Sequence, residues 1–426
     1  MKKLSLIFLL VLVMLMSACV AVNKNSHNVN DPKDEINNEA PSTPDVPGAS
    51  DMPASPDEPI IPDDPQTPET PEEPETPDEP EVSKNTVIKI VAAGDNLLHN
   101  TISFDAKQED GSYDFSSIYT RIAHITSDSD IGFINQEIML TGQISGYPKM
   151  EAPDEVADAL LAVGFNVINL ASNHTLDKGE DGLSACIKNV KERAFDAILG
   201  VYETEEESKQ VILVEKQGIV FGFLSYTYDM NGNTLSKGNE WKVDIIDEPK
   251  MVKDMKALRP LCDYLIVSMH WGAEYKTEPT SYQRKLGQLL CDYGADLIIG
   301  THPHVLQPLE TLTSSNGKYT TICAWSLGNF ISNQHKLDTM LGGILQVEVE
   351  FDENKEIVKT RSSIIPTVTH YDDNAKNYEI YELENYTEEL ASVHGIRKHA
   401  ESPLTLQHLK ELVQRVVGEN IANEIY

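Results

Sequence analysis

Eight nearly continuous apolar runs, at residues 87–93, 131–134, 167–171, 219–225, 264–269, 297–299, 320–325 and 344–349, limit what this chain can fold into. A strand with one wet face alternates apolar and polar residues, so uninterrupted apolar character marks strands buried on both faces. Amphipathic stretches at 155–163, 182–193 and 282–293 lie between the runs. Strand and helix therefore alternate, which gives an α/β class. The runs exceed the needs of one small sheet, and two packed sheets between helical layers are expected over residues 86–366. Beyond Pro366 the pattern turns polar, with helices expected at 382–393 and 404–417, and residues 367–426 read as a helical C-terminal extension.

The ends of these runs carry the polar chemistry. Five of the twelve histidines fall there, in GDNLLH (94–99), ASNHTLDKG (171–179), SMHWGAEY (268–275) and GTHPHV (300–305), and an Asn-x-Glu at Asn135 and Glu137 follows another run. Side chains at the carboxyl ends of neighbouring strands converge on one crevice in open α/β sheets, so ligands distant in sequence can meet. Asp95 with His99 offers hard oxygen and imidazole nitrogen, a mixture suited to manganese, iron or zinc rather than calcium. Both face one site if a helical turn starts at Asp95, although Asp95 alone would serve equally as a helix N-cap. Asn173 suits a turn or an amide-oxygen ligand, with His174 beside it as an acid. His270 closes a run before Trp271-Gly272 turns the chain, so its ring is expected to project from the strand end. His302 and His304 flank Pro303, and as an i, i+2 pair in an extended loop they are expected to point the same way. Cys186, Cys262, Cys291 and Cys323 form no CxxC pair and sit in apolar stretches as small hydrophobes; a Cys262–Cys291 disulfide is left open.

The N-terminal part is of another kind. Lys2 and Lys3 precede an apolar run at residues 4–16, shorter than the roughly 20 residues a bilayer span needs. Ser17-Ala18-Cys19 follows, so residues 1–19 read as a lipoprotein signal with lipidation at Cys19, or as an ordinary secretory signal. From Pro41 to Pro80 proline recurs at every third position except Ser50, among mostly Asp, Glu, Thr and Ser. Three residues per turn is the polyproline II period, and residues 20–85 are expected to be a disordered acidic spacer. At about 3.1 Å per residue the proline tract reaches on the order of 100 Å. Residues 82–426 carry 30 basic and 51 acidic side chains of their own. That balance excludes the basic footprint of a nucleic-acid binder and opposes free polyanions.

The segments GDNLLH, NQE (135–137), SNHTLDKG (172–179), HWGAEY (270–275), GTHPHVLQ (300–307) and SLGNF (326–330), in this order, resemble the CapA family, also called PgsA, of capsule and poly-γ-glutamate synthesis proteins. The resemblance covers about residues 87–366, and Gln136 stands where the family often has leucine. It implies a two-sheet αββα sandwich of metallophosphoesterase type with a dinuclear centre at the strand ends. Implied metal ligands are Asp95, His99, Glu137, Asn173, His270, His302 and His304, holding two divalent transition-metal ions (Mn, Fe or Zn). His174 and Glu274 are the implied proton-handling residues, and Asn135 and Asn329 the expected substrate contacts. Asn135-x-Glu137 replaces the Asp-rich bridging motif of ordinary phosphoesterases, which argues against a simple phosphatase.

Two function classes follow from the resemblance. In one, the chain is a metal-dependent hydrolase or transferase acting on an anionic surface polymer, poly-γ-glutamate or capsule. Paired metals lower the pKa of a bound water toward neutrality. In the other it is a non-catalytic, metal-binding scaffold of a polymer export complex. Either would sit on the outer face of a bacterial cell membrane, anchored by lipid and facing membrane synthase or export subunits.

Overall fold

A computed structural model describes residues 85–418 and 422–425. The signal, the lipidation site and the proline tract lie outside the described residues. Two sheets carry the fold. The first runs Glu379–Glu382, Ile357–His370, Leu341–Phe351, Thr86–Asn96, Ile131–Gln136, Val167–Asn169, Ala197–Leu199. Asn329–Ile331 also pairs with Thr86–Asn96, and Ala422–Ile425 with Ile357–His370. The second runs Leu309–Thr313, Thr320–Ala324, Leu297–Thr301, Tyr264–His270, Ile219–Thr227, Ile212–Lys216. The first is parallel from Thr86–Asn96 to Ala197–Leu199 and antiparallel from Thr86–Asn96 to Glu379–Glu382, whereas the second has a parallel centre and antiparallel edges.

The uninterrupted apolar runs have their explanation in the packing. Along Tyr264–His270, Tyr264 and Ile266 join the core between the sheets, whereas Leu265, Val267 and Met269 join a second core under the helices. Leu297 and Ile299 divide from Ile298 in the same way. Both sides of the strand leave water, as its period of two requires. The outer core is completed by Met251, Met255 and Leu258 of the helix Glu248–Leu258 and by Leu286 and Leu290 of the helix Ser281–Asp292. Over the first sheet the helices Glu155–Ala162 and Gly179–Lys191 bury Val156, Leu160, Leu183, Ile187 and Val190. The expected two-sheet sandwich between helical layers is the observed fold.

Register positions the site. Asp95 lies beside Asn135 on one side and Asn329 on the other, and Asn135 lies beside Asn169. In the second sheet Thr227, His270 and Thr301 share one row. Both rows fall at the carboxyl ends of parallel strands, where the apolar runs stop. Two glycines let these ends approach: a Cβ on Gly94 would lie 2.0 Å from the Gly328 carbonyl oxygen, and one on Gly300 would lie 2.0 Å from that of Trp325. The helix Ser281–Asp292 starts with a capping box between Thr280 and Gln283. Gln283 also donates to Gln307 (2.8 Å), which donates to the Lys276 carbonyl (2.8 Å). One helix start thus fastens the loops that follow both His270 and His304.

The C-terminal part and the cysteines add detail to the sequence reading. The strand Ile357–His370 runs through Pro366, and Glu379–Glu382 and Ala422–Ile425 pair with it, so the C-terminal part shares the first sheet instead of beginning as a separate helical extension. Its helices are present but shorter, at Glu388–Val393 and Leu406–Val416. Antiparallel pairing along this 14-residue strand outweighs the break that proline suggests, because Pro366 lies between the stretches paired with Glu379–Glu382 and Ala422–Ile425, where no N–H is required. Cys262 and Cys291 are both free, which removes the disulfide.

Candidate metal centre

The two rows of strand ends meet in one buried cluster. His302 N–H donates across the sandwich to Asp95 Oδ1 (3.1 Å), joining a loop of the second sheet to a strand of the first. Two triads result, Glu137–His270–His302 and Asp95–Glu137–His304, and within each triad the donor atoms lie within 4.8 Å of one another. Glu137 belongs to both. Its Oε1 lies 3.8 Å from His304 Nε2, 3.9 Å from His270 Nε2 and 4.0 Å from His174 Nε2. These separations are too long for hydrogen bonds. They match two donors that each stand about 2.0–2.2 Å from one ion.

Glu137 supplies the test of fit. The residue is 1% exposed, and neither carboxylate oxygen has a hydrogen-bond partner among the described residues. His302 Nδ1 is likewise unpartnered. A buried carboxylate without donors costs several kcal/mol unless a cation answers it. Nitrogen and carboxylate donors ringed around such an oxygen fit a divalent metal ion. The protonation states agree. Burial, then the charge of Asp95, pushes the Glu137 carboxyl well above its usual range. Burial and the neighbouring histidines hold His270 well below its ordinary value. Burial, with His304, lowers His302 to about 3. Burial opposes charge on His304 too, but Glu137 and Asp95 outweigh it and raise that ring to about 9.

Each ring is oriented by a second contact. His270 sets Nδ1 toward Thr301 Oγ1 (3.0 Å) and Nε2 toward Asn173 Oδ1 (2.8 Å). His304 Nδ1 meets Asp95 Oδ2 (3.0 Å) and Asn329 Oδ1 (3.1 Å). His174 Nδ1 donates to Asp177 Oδ2 (2.7 Å), which leaves Nε2 facing Glu137. Partners of this kind fix the tautomer and direction of a metal-site histidine. Glu274 is exposed on the turn after His270, within electrostatic reach of Glu137 and His304. The Tyr228 ring packs 4.5 Å from that of His302.

Several site expectations change. His302 and His304 do not lie in an extended loop; their φ angles are 97° and 60°, a left-handed backbone that side chains seldom adopt. Anchoring at Asp95 and at the Gln283–Gln307 contact holds that geometry. His99 lies outside both triads, with Nδ1 near Leu97 O (3.1 Å). The strand continues to Asn96 and the helix starts only at Asn100, so Asp95 and His99 do not share a helical face. Burial lowers its ring to about 4, and it remains within electrostatic reach of His304 and His174. Asn135 and Asn329, the expected substrate contacts, are 0% and 1% exposed, and their amides bond Asp95, His304 and the Thr339 carbonyl within the protein. Asp177 was open to detection from the His-x-x-Asp spacing in a turn. Thr301, Asn169 and Ser225 carry no local signal, because only register brings them in.

Asn169 and Ser225 complete a one-directional relay. Ser225 Oγ–H donates to Asn169 Oδ1 (2.5 Å), Asn169 Nδ2 to Asn135 Oδ1 (2.7 Å), and Asn135 Nδ2 to Asp95 Oδ1 (2.8 Å). It starts in the second sheet and ends on a candidate ligand of the first. Loss of such supporting contacts typically lowers metal affinity about 10- to 100-fold. Asn169→Ala should therefore weaken divalent-metal binding by that factor, measured calorimetrically on folded protein, with Ser225→Ala milder. Unchanged affinity in both would remove the relay from the account.

The family described as bacterial capsule synthesis protein PGA_cap matches residues 89–334. Over 202 residues the chain is 29% identical to the PGA biosynthesis protein CapA of Bacillus subtilis (strain 168), which covers 47% of this chain and 51% of that protein. It is 31% identical over 189 residues to the capsule biosynthesis protein CapA of Bacillus anthracis, with 43% and 44% covered. The chain thus spans about half the length of these curated relatives. The solved structure of the Haemophilus influenzae NAD nucleotidase NadN is similar at 13% identity and a TM-score of 0.43, over 78% of this chain and 62% of that one. The match takes in more than half of the residues and every candidate ligand, and the chain belongs to the bacterial capsule synthesis protein family PGA_cap.

Proposed function

We propose that the chain is a membrane-anchored, extracytoplasmic hydrolase or transferase that acts on an anionic surface polymer, poly-γ-glutamate or capsule, with two divalent transition-metal ions (Mn, Fe or Zn). The observation that carries this reading is Glu137, a buried carboxylate without a hydrogen-bond donor that is common to both triads. Asp95 and His304 would complete one metal position, and His270 and His302 the other, with Asn173 beside His270. Bound metals would supply Lewis acidity and a nucleophilic water near neutral pH. The chain's own contribution is placement and proton handling. Asp177 fixes the His174 tautomer, so that Nε2 faces the centre and can take or give a proton at the reacting group. Glu274, exposed at the rim, is the alternative proton carrier. The Bacillus relatives, proteins of PGA and capsule biosynthesis by name, motivate the polymer.

A second reading, a non-catalytic metal-binding scaffold of an export complex, draws on the burial of every triad residue. His174→Ala separates the two. For an enzyme it lowers turnover of a γ-glutamyl polymer by the metal-loaded full chain about 100-fold or more while sparing metal content. A scaffold would show no turnover in the wild type and normal polymer production by cells carrying the variant. Anchoring through Cys19 has its own test, incorporation of a labelled fatty acid in wild type and in Cys19→Ala. Equal label in both would exclude a lipid anchor at this residue.

A further inference from the structure

Beside the metal centre a second cavity of about 510 Å³ opens between Tyr275 and the residues that follow the family-matched segment, among them His335, Lys336, Asp338, His399 and Glu401. Tyr275 is common to the cavity and the centre. Its ring lies 6.1 Å from that of His304, and its hydroxyl accepts from Gln334 Nε2 (3.4 Å). Gln334 Oε1 in turn accepts from Asn329 (3.0 Å), the residue whose Oδ1 meets His304 Nδ1. The cavity wall is therefore wired to a candidate ligand through two side chains.

The lining holds a cation that the protein does not neutralise. Lys336 is exposed, its ammonium stands 3.4 Å over the Tyr275 ring, and no carboxylate pairs with it among the described residues. Asp338 is engaged elsewhere, by His408 Nε2 (3.0 Å) and Arg415 (3.7 Å) of the C-terminal helix. Glu401 is the remaining carboxylate of the wall. His335 and His399 stack with centroids 3.7 Å apart and planes 1° from parallel. A neutral imidazole keeps one N–H, so each ring of the stack has a donor to offer.

We infer that this cavity is a second subsite for the polymer, in which Lys336 takes a carboxylate of the chain and the His335–His399 pair donates hydrogen bonds to it. The inference rests on the polymer reading above. It answers an electrostatic difficulty, because a folded part with 51 acidic and 30 basic side chains repels a polyanion at long range. A cation set beside the metals supplies local attraction where the reaction would occur. Carboxylates recur along a γ-linked chain, so one can meet the metals while another meets Lys336. The second contact then forms at high effective concentration. The C-terminal segment acquires a role too, since it brings His399 and Glu401 to the wall and fixes the Lys336 loop through Asp338.

Calorimetry on the metal-loaded full chain, with a γ-linked glutamate oligomer and with free glutamate, tests the subsite. Lys336→Ala should weaken oligomer binding about tenfold, the scale of one charged hydrogen bond. Metal content and free-glutamate binding should not change, and Lys336→Arg should retain most of the affinity. Glu401→Gln, which removes the opposing carboxylate, should strengthen oligomer binding. Equal oligomer affinity in wild type and Lys336→Ala overturns the subsite and leaves the polymer reading standing. No oligomer binding by metal-loaded wild type overturns both.

Discussion

A carboxyl that is 1% exposed and has no hydrogen-bond donor among the described residues can ionise only where positive charge balances it, and Glu137 imposes that demand on everything around it. The cost of leaving it unanswered, several kcal/mol, is comparable to the net stability of a whole domain. The carboxyl ends of both sheets are arranged to meet it. Asp95 and Asn135 arrive from the first sheet, and His270, His302 and His304 from the second or its loops. A single rigid sheet could not surround one carboxylate in this way, which is why the sandwich and the site are one construction.

The surrounding structure is accordingly rigid where the ligands sit and open at the rim. Asp95, Asn135 and Asn169 are completely buried, and the Ser225 relay ties them across the sandwich. His302 and His304 keep left-handed backbones, each costing on the order of 1–3 kcal/mol, because Asp95 and the anchored Gln307 hold the loop. Glu274 and Lys336, in contrast, stand exposed on turns. Groups fixed within the centre can hold a charge in place, and groups at the rim can meet a long flexible substrate.

Much of this was legible in the sequence because period and position report burial directly. The apolar runs located the central strands to within a few residues, and the helix expected at 282–293 is Ser281–Asp292. Residue type at strand ends picked out Asp95, Glu137, His270, His302 and His304 before any contact was known. What was not legible depends on register or on pairing between distant segments. Ser225 and Asn169 matter only because two strands align, and His99 misleads because a strand runs three residues further than the apolar pattern shows. The strands Ile357–His370 and Glu379–Glu382 carry a mixed pattern of buried and partly exposed residues, and their place in the sheet follows from pairing alone.

The central claim is that Glu137 joins two metal positions. Titration of the metal-free chain with Mn²⁺, followed by electron paramagnetic resonance, addresses it most directly. A carboxylate common to both positions should couple the spins, so two equivalents per chain with an exchange-coupled spectrum are expected, and Glu137→Gln should abolish the coupling. A single uncoupled equivalent in the wild type, or none, would contradict the account.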